Sequence, residues 1–107
     1  MKDYYDIYYL ANKFDFDGKV LTEALKKTFE NRGHRFTIEQ FEQVMGFDAD
    51  AAMQKKWRAF VRKIDSKTDD YSTVLKTIEA FLTKPFVAAV EDKTFMEHWI
   101  AQNGEWM

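Results

Sequence analysis

Lys2, Asp3 and Asp6 are the residues of this 107-residue chain whose types and spacing come closest to chemistry. On a helix, Asp3 and Asp6 are neighbours at i, i+3 and Lys2 and Asp6 at i, i+4, so one ammonium and two carboxylates share a strip. Held against a rigid aromatic wall, such a strip can position a base, a metal-bound phosphate or another catalytic side chain. Acids in a first helical turn also complement the helix dipole, and spacing alone favours that plainer reading. A second strip is Lys55, Arg58 and Arg62, spaced i, i+3, i+7. It reads first as a solvated helix face. Its other reading is phosphate contact with a nucleic acid, supported by Lys26, Lys27, Arg32 and Arg35.

Other constellations fail. His34 and His98 lie in unrelated segments without metal-ligand spacing, and Ser66 and Ser72 lie outside any nucleophile-elbow context. Asp15-x-Asp17-Gly18 resembles part of a calcium loop. Setting Gly18 at the loop's glycine puts Lys13 at the first ligand position and Ala24 at the twelfth, where glutamate is required. Helix capping accounts for these residues better. Four scattered glycines make no phosphate-binding loop. No metal site is expected.

The elements that would position these residues are helical. Tyr4, Ile7, Tyr8 and Ala11 form one face of a helix over residues 3–14, and Tyr5, Tyr9 and Leu10 add a second apolar face. A helix apolar around most of its circumference is normally covered on several sides, so a further partner is expected on it. Asp17 is placed to cap a second helix, with Phe16 and Leu21 as a hydrophobic staple and Val20, Leu21, Ala24, Leu25, Thr28 and Phe29 as its buried stripe. Gly33 should stop it. Thr37 and Gln40 make a capping box for a short third helix ending at Gly46. A fourth is expected to open at Asp48, with Met53, Trp57, Phe60, Val61 and Ile64 inward. Residues 66–70 read as a polar turn. Val74, Leu75, Ile78, Phe81 and Leu82 mark a fifth helix that Pro85 should end or kink, with further turns over residues 86–91. Trp99, Asn103-Gly104 and Trp106 read as an extended stretch with a turn. The expectation is one all-α domain of five to six helices with an extended aromatic C-terminal tail.

Composition sets the outer limits. The chain is 46% hydrophobic and 32% charged, the range of a folded globular domain rather than a disordered tail. With 16 basic and 18 acidic residues the net charge is −2, which argues against strong nucleic-acid binding by the chain as a whole but not against a local basic face. The absence of cysteine removes disulfides, thiolate zinc sites and a cysteine nucleophile. No apolar run approaches the roughly 18 residues of a membrane span. Two acids within the first six residues are not expected of a signal peptide. Cytoplasm is the expected location, with no membrane partner.

Lys2-Asp3-Tyr4-Tyr5-Asp6-Ile7-Tyr8-Tyr9-Leu10 resembles the K-D-x-x-D-[IL]-Y-x-L motif of AbiEii/AbiGii abortive-infection nucleotidyltransferase toxins of bacteria. The resemblance continues through Phe14-Asp15-Phe16, Leu21, Ala24, Thr28-Phe29 and Arg32-Gly33. It takes in Trp57-Arg58-Ala59-Phe60, the Phe81-Leu82 helix running to Pro85, and Trp99 and Trp106. The order of the pieces carries it. It implies that this chain is the C-terminal helical domain of such a toxin, lying beside an N-terminal nucleotidyltransferase domain. It implies that Lys2, Asp3 and Asp6 are the last active-site motif in nucleotidyl transfer from a nucleoside triphosphate to an acceptor, with RNA and an antitoxin as implied partners. Asp3 or Asp6 would assist the acceptor or orient the site, and Lys2 would offset phosphate charge or hold a carboxylate. The family's G-S motif with paired acids for magnesium and its later lysine motif are absent from these residues. The arginine that often precedes the K-D pair is missing too. Magnesium and the triphosphate are therefore implied for the full-length family rather than for this chain alone, and activity in isolation is not expected. An alternative of another class is a stand-alone interaction module that docks through its aromatic first helix.

Overall fold

The computed structural model describes residues 1–33, 37–64 and 68–107, with backbone alone at 48 and 49. Among the described residues five α-helices run in chain order: α1 (Lys2–Lys13), α2 (Gly18–Arg32), α3 (Ile38–Met45), α4 (Ala51–Lys63) and α5 (Tyr71–Val90). Three short strands, β1 (Phe16–Asp17), β2 (His98–Ile100) and β3 (Glu105–Trp106), make an antiparallel sheet in the order β1-β2-β3. The mostly helical, single-domain expectation holds. The aromatic tail is a hairpin whose first strand also pairs with the short segment between α1 and α2, Phe16 opposite Trp99 and Asp17 opposite His98.

Local chemistry explains where the helices start. The Asp17 carboxylate accepts from the Lys19 and Val20 amides, Asp50 from Met53 and Asp70 from Thr73. Thr37 and Gln40 form the complete reciprocal capping box. α4 thus opens at Asp50 and not at Asp48, because residues Gly46–Ala49 take up a 3₁₀ turn after α3. Gly33 stops α2 in the left-handed region, φ 59°.

α5 is the axis of the molecule. Tyr71, Val74, Leu75 and Ile78 join Trp57 and Met45 in one buried cluster, with Tyr4, Tyr5, Phe60 and Val61 packed on it. Further along, Phe81 joins Ala11, Trp99 and Trp106 in a second cluster that Phe16 and Leu21 flank. Of the two outcomes expected at Pro85, an end or a kink with further turns beyond it, the helix does not end there but runs on to Val90. Proline supplies no N–H to the carbonyl four residues back, which is that of Phe81. The Trp106 indole N–H donates to that carbonyl at 2.9 Å, so the freed acceptor is satisfied from outside the helix. Past Val90 the chain closes in a Schellman arrangement, with Lys93 N–H donating to Ala88 and Asp92 at φ 55°.

The buried stripe of α2 is rotated from its expected place. Gly18, Leu21, Thr22, Leu25 and Phe29 face inward, while Val20, Ala24 and Thr28 are exposed. Gly18 is the cause. Its N–H donates to the Glu97 carbonyl at 2.9 Å, and a Cβ there would meet that oxygen at 2.4 Å and the Phe95 ring at 2.7 Å. That close approach turns the first turn so that Gly18 and Thr22 lie against the body. Ile64, expected inward, caps α4 and is exposed.

Candidate functional site

α1 places Lys2, Asp3 and Asp6 on one solvent-facing strip. Its inner side packs Tyr4 edge-on against Tyr71, Tyr5 edge-on against Phe60, and Ala11 into the second cluster. Lys2 and Asp6 approach to 3.9 Å with side chains 81% and 49% exposed. An exposed pair of this kind is worth about 0.5 kcal/mol at most, so either group is readily given up to a partner. Asp3 is exposed in the first turn.

The same outward face carries apolar surface. Tyr9 is 48% and Leu10 41% exposed, and Phe14 at the helix end is more open still. With successive residues 100° apart, Tyr9 and Leu10 flank the line of Lys2, Asp6 and Lys13. The sequence reading put Tyr9 and Leu10 on a second apolar face for which a further partner was expected. Within the chain that face is uncovered, and α5 instead is the most buried helix, with Thr73, Lys76, Glu79, Ala80 and Lys84 left exposed on it.

Beside the strip, the Tyr8 hydroxyl donates to the Asp69 carboxylate. Burial first, and then that bond and the negative charge of Asp69, push the Tyr8 hydroxyl up to about 12. Asp69 also accepts the Trp57 indole N–H through its backbone carbonyl at 2.9 Å. Tyr5, Tyr8, Tyr9, Asn12, Lys13, Thr68 and Asp69 line a shallow groove of about 320 Å³ along this side of α1. Burial also raises the Tyr71 hydroxyl, with Tyr4 and Asp50 acting in the same direction.

No group of three or more metal-capable side chains converges among the described residues. Asp3 and Asp6 alone, with Asp6 facing Lys2, do not make the donor set of a magnesium site.

α4 holds the second strip. Lys55, Arg58 and Arg62 are all exposed, as are Lys56 and Lys63. None of the five has an ion-pair partner among the described residues. The other outward residues of α4 are Ala51, Ala52 and Ala59, of which Ala52 and Ala59 lie between the two rows. The row of Lys56 and Lys63 was missed in the sequence, although their i, i+7 spacing and the lack of any acid between Ala51 and Lys63 signalled it. The supporting cations do not join them equally: Lys26 is paired with Asp92 at 3.0 Å. His34, Arg35 and Ser66 lie outside the described residues. His98 is exposed on β2, 3.9 Å from the Asp17 carboxylate, in no ligand cluster.

No helix among the described residues is long and apolar enough to cross a membrane. No curated protein and no solved structure matches the chain significantly. The family model described as nucleotidyl transferase AbiEii toxin, type IV toxin–antitoxin system, matches residues 1–91, which takes in the Lys2-Asp3-Asp6 strip and all five helices. The chain belongs to the AbiEii nucleotidyl transferase toxin family.

Proposed function

We propose that this chain acts as the helical domain of a nucleotidyltransferase toxin and completes an active site whose nucleotide- and magnesium-binding parts lie on a separate N-terminal transferase domain. The observation that carries this reading is the outward face of α1, where Lys2, Asp3 and Asp6 share a surface with exposed Tyr9 and Leu10. Covering Tyr9 and Leu10 with a transferase domain removes apolar surface from water, and it brings the strip to the seam between the two bodies. In that seam the local dielectric falls, so charges that do little in solvent act strongly. Asp3 or Asp6 accepts a hydrogen bond from the acceptor hydroxyl or orients it, and Lys2 offsets phosphate charge or steadies Asp6. The acceptor is an RNA that reaches the seam along α4, whose end of the molecule adjoins α1 through the Tyr5–Phe60 contact. An antitoxin is the partner that the family's toxin–antitoxin character supports.

Asp3→Ala and Asp6→Ala in the assembled toxin test the catalytic part. Each should lower transfer by about 100-fold or more, the scale of a lost acid–base or orienting group. Unchanged toxicity in both variants would remove the strip from the mechanism. Tyr9→Asp with Leu10→Asp should abolish docking of the transferase domain while leaving this chain folded. Docking lost without any transfer activity to lose would favour the stand-alone interaction module instead.

A further inference from the structure

The C-terminal hairpin lies outside residues 1–91 that the family model matches, yet it touches the helix bearing the charged strip. Trp99 is 1% exposed, and its indole N–H donates to the Ala11 carbonyl at 2.7 Å. That carbonyl sits in the last turn of α1, where no helical amide reaches it. A second tie stands beside it: the Ala101 amide donates to the Asp15 carboxylate at 2.8 Å. The hairpin is itself fixed to α5, through the Trp106 indole on the Phe81 carbonyl and through the rings of Trp99 and Trp106 against Phe81 at 5.0 and 5.9 Å. Residues 98–107 therefore bridge the end of α1 to the central helix.

We infer that Trp99 is a positioning residue for the Lys2-Asp3-Asp6 strip, setting the angle of α1 from its far end. The inference rests on the reading that this strip serves an active site. Ala11 and Asp3 are eight residues apart, a lever of about 12 Å along the helix. A tilt of about 10° at the tied end moves Asp3 by about 2 Å, whereas catalytic groups work within about 0.5 Å of their place. Nearer the strip α1 is held by the ring contacts of Tyr4 and Tyr5, and in mid-helix by the Tyr8 hydroxyl on Asp69, so the Trp99 bond is the tie on the end that these leave unheld.

The chain has no cysteine, so paired spin labels can be placed at will. Labels at Asp3→Cys and Glu79→Cys report α1 against α5, and labels at Lys55→Cys and Glu79→Cys report α4 against α5. Trp99→Phe keeps a ring against Phe81 and removes the indole donor. The first distance should then shift or broaden by about 2 Å while the second stays fixed. No change in either pair overturns the inference, as does equal broadening of both, which is general loosening. Should Trp99→Phe fail to fold, Asp15→Ala removes the companion tie from an exposed position and is judged by the same two distances. The labels read position without any transferase assay. An inert strip in the assembled toxin would sink the catalytic reading and leave this result standing.

Discussion

The hydrogen bond from Tyr8 to Asp69 joins residues 61 positions apart and fastens α1 to the segment that leads into α5. A phenol that donates to a carboxylate is favoured in its neutral form, and partial burial adds to that preference. Its folded pKa, about 12, lies above the ordinary 10.0. The stabilisation is therefore complete below pH 10 and is lost as the pH rises toward 12, since the unfolded chain releases the proton first. Urea midpoints should fall over that window, and Tyr8→Phe should flatten the part of the fall due to this residue; an unchanged slope would show that the bond is not made. Tyr8 and Tyr71 should give tyrosinate absorbance only above the ordinary phenol range. This link was not legible in the sequence, because nothing local to Tyr8 names Asp69. The shared strip of Lys2, Asp3 and Asp6 was legible, because i, i+3 and i, i+4 neighbours need only a helix to bring them together. What the sequence could not show is that Tyr9 and Leu10 face outward beside them, because periodicity finds apolar faces and does not say which are covered.

At the scale of elements, α5 and the hairpin depend on each other. The pattern of Val74, Leu75, Ile78 and Phe81 announced the helix, and Pro85 announced an end or a kink with further turns beyond it. Which of the two occurs is not decided locally. Proline breaks a helix when the freed carbonyl has nowhere to go, and here Trp106, 25 residues from Phe81, supplies the donor. The same long-range cause defeated the stripe of α2, where Gly18 is drawn against Glu97. Caps were read well, Asp17 and the Thr37–Gln40 box among them, since each lies within three residues of the amide it serves. The proline–indole arrangement makes a quantitative prediction. Trp106→Phe should cost about 1–3 kcal/mol, as a buried carbonyl loses its donor. In a Pro85→Ala background residue 85 regains an amide aimed at Phe81, so the same change should cost about 1 kcal/mol less. A double-mutant cycle on denaturant midpoints measures that coupling directly. Additive costs would mean that the indole acts through ring packing alone.

Over the whole molecule, charge is divided unevenly. The chain carries −2, yet α4 holds Lys55, Lys56, Arg58, Arg62 and Lys63 and no acid, leaving −7 for everything else. Cations that no carboxylate among the described residues neutralises, set along a helix about 20 Å long, make a surface for a polyanion. The floor between the two rows is alanine, so a backbone can approach closely, and no exposed aromatic on that face offers stacking to bases. Such a face reads phosphates and not sequence. RNAs of unrelated sequence should therefore bind the chain with similar affinity. Affinity should fall steeply with salt, with a log–log slope of about −3 to −4 if four or five phosphates are engaged. Reversing Lys55, Arg58 and Arg62 to glutamate should remove most of that slope together with the binding, while leaving Trp57 buried and the fold intact, because all three side chains point to solvent. Repulsion from the −7 remainder should restrict contact to α4, so Lys27→Glu on α2 should change the slope little. Binding that is absent, or indifferent to salt, would leave the α4 cations as a solvated face and take the RNA approach out of the proposed mechanism.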